Sequence, residues 1–373
     1  MTRVWDVPVH DSTRVRDARV AAESAADHLG FDEARRAVAA LVATELATNL
    51  LKHAGGGQIL VETVDAADTA PAPLGPGAAP GVRGPLPAGD QGRLVQIVAL
   101  DHGPGIPDLP AALSDGWSTT HSLGAGLGTC LRVAHDFDVH SAPGRGTVAL
   151  ARIGAVARGR APVPGARPAS AAVRAGGINI PFAAAEQSGD AWACVRAADR
   201  VTLLLADGLG HGAGAALASD AAVRRVRECA HLPPPELLGQ LHTALRRTRG
   251  AAVAVAQVDL AAGELGFSGL GNIGARLRSG NDWRPLLSHP GIVGAHSPAR
   301  LPHHRLPWTS DSVLVLHSDG LPSRWAPAAD AVSAAQDPAV TAAVLVRDAS
   351  SSARPARDDT TVAVLTGPPP KGP

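Results

Sequence analysis

Apolar positions fall into two textures along the chain, one helical and one strand-like. Between Ser12 and about Leu29 they recur at helical spacing, and the pattern stops at Gly30, a residue suited to the position after a helix. A second helical stretch runs from about Asp32 to His53, with Leu41, Val42, Leu46 and Leu50 as its apolar stripe. Short apolar runs surround these helices: "RVWDVPV" at the start, "GQILVETV" (57–64), "RLVQIVAL" (93–100), "DFDVHSA" and "RGTVALARI". One more helix is predicted near 127–136. Helices on one face of a mixed sheet fit this order, an α+β layer.

Downstream the texture changes to many strands and few helices. Strands are predicted at "INIPFAA", "DAWACVRA", "RVTLLLAD", "AVAVAQVDL", "ELGFSGLG", "ARLRSG", "DSVLVLHSD" and "TTVAVLTG", with helices at about 213–229 and 235–249. That mixture predicts two packed sheets, a β-sandwich flanked by helices. Two stretches break the periodicity. Residues 66–92, rich in Pro, Ala and Gly, read as a disordered excursion between two strands of one domain. Residues 154–172 read as a proline-stiffened linker. The expected organisation is a two-domain α+β protein: a domain at 1–153, the linker, a domain at 173–367 and a tail at 368–373.

Composition narrows the partner. With 373 residues, 45% of them hydrophobic, both domains can bury real cores. A formal net charge of zero gives no electrostatic reason to expect nucleic acid or an anionic membrane. Cys130, Cys194 and Cys229 are scattered and odd in number, which argues against a disulfide framework or a zinc ribbon. No stretch reads as a signal peptide or approaches the ~20 apolar residues of a membrane span. A cytoplasmic location with a protein or small-molecule partner is the expectation.

Candidate chemistry in the first half begins with Glu45, Asn49 and His53, four residues apart on one face of the second helix. "VALDHGPGIPD" is an apolar strand ending in Asp101, whose carboxylate can accept a hydrogen bond from a ring amino group, with Gly103 and Gly105 allowing close approach to a flat ligand. "LGAGLG" then enters a helix and offers backbone N–H groups to phosphates. In this order the three motifs resemble the GHKL ATPases, in the bacterial anti-sigma and switch-kinase branch of RsbT and RsbW type. The resemblance implies ATP and Mg²⁺ as ligands, with Asn49 holding the metal against the phosphates and Glu45 as general base. It also implies Asp101 on the adenine amino group, Gly105 along the base, Gly124, Gly126 and Gly128 around the phosphates, and Thr147 near the adenine. Phosphoryl transfer asks mainly for metal, positioning and backbone donors, which this set supplies. The chain departs from the branch at Thr120, His121 and Ser122, where RsbT-like sequences carry extra glycines.

The second half offers scattered aspartates. "LLLADGLGHGAG" lacks the third glycine of a dinucleotide fingerprint, and Asp207 stands between strand and glycines. A carboxylate followed by a glycine carbonyl suits a hard cation instead. Asp190 in "SGDAW", Asp319 in "LHSDG", and Asp358 and Asp359 in "RDDTTVAVL" each abut an apolar run. The ordered motifs, with "GLGNIGARL" and "SHPGIVG", resemble the PPM (protein phosphatase 2C-type) phosphatases of the SpoIIE and RsbX branch. The resemblance implies a dinuclear Mn²⁺ or Mg²⁺ site held by Asp190, Asp207, the Gly208 carbonyl, Asp319 and Asp358, with Asp207 central to catalysis and Asp359 behind the ligands. His211 reads as structural before it reads as a general acid, and no arginine is assignable to the substrate phosphate.

Together the resemblances imply a bacterial signalling regulator that removes phosphate from Ser or Thr of STAS-domain proteins, the antagonists in a sigma-factor or stress-response switch. The first half would be a serine/threonine switch kinase, or alternatively a non-catalytic ATP-binding, partner-binding module that gates the phosphatase. Pairing into a homodimer is expected from the ATPase branch.

Overall fold

The computed structural model describes residues 3–69, 72–73, 92–113, 126–156, 172–182, 185, 187–296, 301, 303–322, 325, 332, 336–349 and 358–367. Two compact units emerge, one of Arg3–Ala66 with Pro85–Pro168, the other of Ala67–Gly84 with Ala169–Pro373.

The first unit opens with β1 (Val4–Val9), then α1 (Ser12–His28) and α2 (Glu33–Asn49). Both helices start where a side chain meets their exposed amides. The Asp11 carboxylate accepts from Thr13 N at 2.8 Å and Arg14 N at 3.3 Å, and Asp32 accepts from Arg35 N at 2.7 Å. A π-helical turn, Leu50–Ala54, ends the second helix, and Gly55 leaves it in the left-handed region. Next comes β2 (Gly57–Asp65), followed in the chain by the short α3 (Ala66–Thr69) and β3 (Ala72–Pro73), which from Ala67 onward go with the second unit. The first unit closes with β4 (Arg93–Leu100), α4 (Leu109–Leu113), α5 (Gly126–Val133), β5 (Asp136–Ala142) and β6 (Gly146–Gly154). The sheet order is β1-β2-β4-β6-β5. Alanines such as Ala18, Ala22, Ala39 and Ala43 let the two helices approach closely and cover Ile59, Val61, Val95, Ile97 and Ala151.

A mixed sheet was expected here, yet every neighbouring pair runs antiparallel. Patterning finds the strands but carries no information on their direction.

The second unit contains β7 (Ala172–Ile180), β8 (Asp190–Ala197), β9 (Arg200–Gly208), α6 (Ala213–Cys229), α7 (Pro234–Leu245) and β10 (Ala251–Asp259). It continues with β11 (Glu264–Leu270), β12 (Gly274–Ser279), β13 (Asp282–Leu286), β14 (His304–Pro307), β15 (Val313–His317), α8 (Pro338–Ala349) and β16 (Thr360–Thr366). Two antiparallel sheets, β14-β11-β10-β9-β8 and β13-β12-β15-β16-β7-β3, enclose a core that includes Leu203, Leu205, Phe267, Leu314, Leu316 and Leu365. The opposite face of β9 and β10 is covered by α6 and α7 through Ala218, Val226, Leu238 and Leu241. On the other sheet α8 lies close to β7, since a methyl group at Gly176 would stand 2.6 Å from Ala339 N. The result is the expected sandwich flanked by helices.

The excursion at 66–92, expected to be disordered, is ordered where it begins. Asp68 is buried there, accepting from the Cys194 amide at 3.3 Å and pairing with the Arg227 guanidinium at 2.8 Å, and β3 adds to the edge of β7. A buried carboxylate that meets a cation and an amide can hold a segment whose composition alone would not. The expected linker falls largely outside the described residues.

Candidate functional sites

In the first unit, α2 carries Glu45 and Asn49 on one face, both half-buried. The π-helical turn adds a residue to the winding, so His53 leaves that row and is exposed. Asn49 meets the start of α5, because a methyl group at Gly126 would stand 3.2 Å from both its amide nitrogen and its amide oxygen. Glu45 lies near Cys130 on the same short helix, where burial first and the Glu45 charge second push the thiol up. Gly128 is buried in α5. Gly124, with Thr120, His121 and Ser122, lies outside the described residues.

Asp101 follows β4 directly and is buried. Its Oδ1 accepts from Gly103 N at 2.8 Å and from Thr147 N at 3.1 Å, while its own N–H donates to the Thr147 carbonyl at 3.0 Å. The two residues that the sequence assigned to the adenine are therefore brought together. Gly105 adopts φ +76°, and a methyl group there would stand 2.4 Å from the Ala142 carbonyl. Ser141, which sequence reading missed, supports the same loop: its Oγ accepts from Ile106 N at 2.7 Å and lies 2.9 Å from Thr147 Oγ1.

In the second unit the aspartates gather at one end of the sandwich. Asp190 opens β8 and stands in register with Asp207 near the end of β9. Asp319 follows β15 and Asp358 precedes β16, two strands that pair antiparallel, with Ser318 N donating to the Thr361 carbonyl at 3.0 Å. Strand direction in the two sheets thus places all four near one rim. Asp190 is buried, and neither of its carboxylate oxygens makes a hydrogen bond of acceptable geometry. Burial, then the charge of Asp207, raises its pKa well above the carboxylate range, and the neighbouring Ser318 and Thr361 hydroxyls offset only part of that. Asp207 is pushed up to about 7, by burial first and then by Asp319, Asp358 and Asp359. Asp319 is raised by burial and by Asp358.

Other groups hold the cluster in place. Asp359 spends its carboxylate on the backbone, accepting from Phe182 N and from Gly189 N at 2.7 Å each. Asn272, in the "GLGNIG" stretch, donates to Asp319 Oδ2 at 2.6 Å and was not singled out from sequence. Behind Asp319, Trp325 Nε1 donates to His317 Nε2 at 3.0 Å, which leaves Nδ1–H for the Ser318 carbonyl at 2.9 Å. Gly208 pairs with Ala251 and packs under α6, where a methyl group would stand 2.1 Å from the Ala215 carbonyl. His211 is exposed in the loop. Among the described residues no three acidic, His or Cys side chains converge on a single point. The donor set, four carboxylates with orphaned oxygens on Asp190, fits hard divalent cations rather than soft ones.

Sequence comparison separates the two halves. Residues 9–152 match the histidine kinase-like ATPase domain family, and residues 197–367 match the family of stage II sporulation protein E (SpoIIE). Serine/threonine-protein kinase RsbT of Bacillus subtilis (strain 168) is 35% identical over 131 residues, 35% of this chain and 80% of RsbT. Among solved structures, the phosphatase domain of SpoIIE from Bacillus subtilis with part of its regulatory domain aligns with a TM-score of 0.45 at 15% identity, covering 73% of this chain and 79% of that one. RsbX in complex with magnesium aligns with a TM-score of 0.44 at 19% identity, covering 52% and 94%. Among the described residues no helix is long and apolar enough to cross a membrane. The chain is a signalling regulator that belongs, through its first half, to the histidine kinase-like ATPase family with RsbT as a relative, and its second half matches the SpoIIE family.

Proposed function

We propose that the second unit is a metal-dependent phosphatase acting on phosphoserine or phosphothreonine of STAS-domain proteins, and that the first unit binds ATP·Mg²⁺ and acts as a switch kinase on the same class of partner. The buried, unpartnered carboxylate of Asp190 beside Asp207, Asp319 and Asp358 carries the phosphatase reading. These four residues and the Gly208 carbonyl would hold two Mn²⁺ or Mg²⁺. When bound, such a pair supplies an activated water and positive charge for in-line attack on a phosphoryl group. Asn272 orients Asp319, and Asp359 fixes the loops on either side of Asp190 through its two backbone bonds.

In the first unit Asp101 would receive the adenine amino group beside Thr147, with Gly105 along the base. Asn49 would hold Mg²⁺, Gly124, Gly126 and Gly128 would enclose the phosphates, and Glu45 would take the proton of the attacking hydroxyl. Opposed activities in one chain raise the effective concentration of each at a shared substrate. The departure at Thr120–Ser122 favours a second reading, an ATP-binding module that gates the phosphatase without transferring phosphate.

The test uses the full chain with a phosphorylated STAS protein and Mn²⁺ or Mg²⁺. Phosphate release is expected, falling to background in Asp207→Asn and in Asp319→Asn; full activity in either variant removes the metal assignment. Transfer of labelled γ-phosphate from ATP to the unphosphorylated STAS protein decides between the two readings of the first unit.

A further inference from the structure

A phosphoryl group brought to metal ions on the aspartate rim still needs donors for the oxygens that the metals do not hold. The stretch before Asp190, "PFAAAEQSG", contains no cation. Arg249 supplies one from a distant part of the sequence.

It lies in the short connection between α7 and β10, and its backbone surroundings are fixed on both sides. Thr248 N and Oγ1 both donate to the Leu245 carbonyl, at 2.9 and 2.7 Å, and Gly250 N donates back to Thr248 Oγ1 at 3.0 Å. Beyond it the Gly250 carbonyl accepts from Leu209 N at 3.0 Å, and Ala251 stands in register with Gly208. The connection is therefore stitched to the loop that follows Asp207.

The guanidinium packs against that loop and the start of α6. A methyl group at Gly214 would stand 2.7 Å from Cζ and Nε of Arg249 and 3.1 Å from Nη2, and one at Gly210 would stand 3.3 Å from Nη1. Gly210 is in turn close to Gly189. A methyl group at Gly189, the residue before Asp190, would meet the Gly210 carbonyl at 3.3 Å and Asp359 Oδ2 at 2.9 Å. Gly210 thus lies between Arg249 and the residue before Asp190.

Arg249 is exposed, and among the described residues it makes no hydrogen bond or ion pair. Here packing on two glycines holds it, and its fork of donors is left unengaged. A planar fork matches two oxygens of a phosphoryl group, which a lysine ammonium does not.

We propose that Arg249 binds the non-bridging oxygens of the substrate's phosphoryl group at the rim of the aspartate cluster, and that Gly210 and Gly214 lack side chains to leave room for it. The proposal rests on the phosphatase reading above and adds to it the group that recognises the phosphate.

The test compares Arg249→Ala, Arg249→Lys and Gly214→Ala with the parent chain, and takes Arg247→Ala, an exposed neighbour, as control. Each is loaded with Mn²⁺ and measured for KM and kcat on a phosphoserine peptide and, by calorimetry, for binding of inorganic phosphate and of Mn²⁺. Arg249→Ala is expected to weaken phosphate binding and raise KM by about tenfold to a hundredfold, as loss of a charged hydrogen-bonding partner does, with Mn²⁺ affinity unchanged. Lysine should restore only part of this. Gly214→Ala, whose methyl needs the space of the guanidinium, should shift both quantities in the same direction. Phosphate affinity and KM within twofold of the parent overturn the proposal and leave the phosphatase reading standing. A parallel loss of Mn²⁺ affinity overturns it too, by showing a purely structural role. Should the parent chain release no phosphate from any peptide, the phosphatase reading falls, and the calorimetry still decides for Arg249: phosphate binding lost in Arg249→Ala supports it, and no binding by the parent overturns it.

Discussion

Two buried aspartates, one in each unit, show how differently the halves are built. Asp101 is held by two backbone amides on one oxygen and by a reciprocal backbone pairing with Thr147. Asp190 is buried to a similar degree, has Asp207 opposite it, and carries two oxygens that no backbone amide holds, with only the Ser318 and Thr361 hydroxyls nearby. A buried carboxylate with amide donors contributes to its own fold, whereas one without them is a cost to the fold until a cation arrives. On the proposed function, the first unit would be organised before its ligand binds, and the second would gain stability from its metal.

The sharpest way to break this contrast is Asp190→Asn. Phosphatase activity should fall to background, while the unfolding free energy measured in a chelator should stay level or rise, because a buried carboxyl that must take up a proton on folding has been removed. Mn²⁺ at a hundred times its dissociation constant should stabilise the second unit of the parent chain by about 2.7 kcal/mol and the variant by much less, as thermal or denaturant unfolding will report. A drop in stability for Asp190→Asn without metal would place the two aspartates in one class.

Asp101→Ala tests the other side. It strands the Gly103 and Thr147 amides, so a loss of about 1–3 kcal/mol is expected along with ATP binding, and metal should not restore it. Equilibrium unfolding and nucleotide titration measure both.

A third buried acid sharpens the comparison with a smaller effect. Glu62 on β2 accepts from Gln96 Nε2 at 2.7 Å through one oxygen, and its other oxygen has no partner. Burial pushes it up to about 8, against the opposing influences of Gln96 and Arg152. The folded chain therefore holds this proton more tightly than the unfolded chain. Its stabilising contribution is complete below the ordinary carboxyl value of 4.5 and is lost as pH rises from there to about 8. Relative to Glu62→Gln, the parent should lose about 1.4 kcal/mol per pH unit inside that window and nothing beyond it. Denaturation of both chains across pH reads the difference, and parallel curves would reject the assignment.

Strands and site motifs were legible to different depths. Apolar runs at 57–64, 93–100 and 200–207 became strands almost residue for residue, because a run bounded by turn residues has little alternative. The helix α8 escaped notice: every residue from Pro338 to Arg347 is buried, so it has no polar face to give a helical period. The short strands β13 and β14 carry few apolar residues and are defined by their partners rather than by pattern. The aspartates were readable because each adjoins an apolar strand. Asn272 and Arg249 were not, since each reaches the site across a turn whose geometry only the folded sheets supply.

The Asp68 anchor has a consequence for dissection. A single cut between the two sequence families yields a carboxy-terminal piece beginning near Ala169, and that piece lacks Ala67–Thr69 and Ala72–Pro73, which pair with it in the intact chain. Arg227 loses this carboxylate, the Cys194 amide loses this acceptor, and the edge of β7 loses β3. The boundaries of inheritance and of folding therefore do not coincide here. Activity measured on a fragment trimmed to its family match describes a protein with part of its own fabric removed.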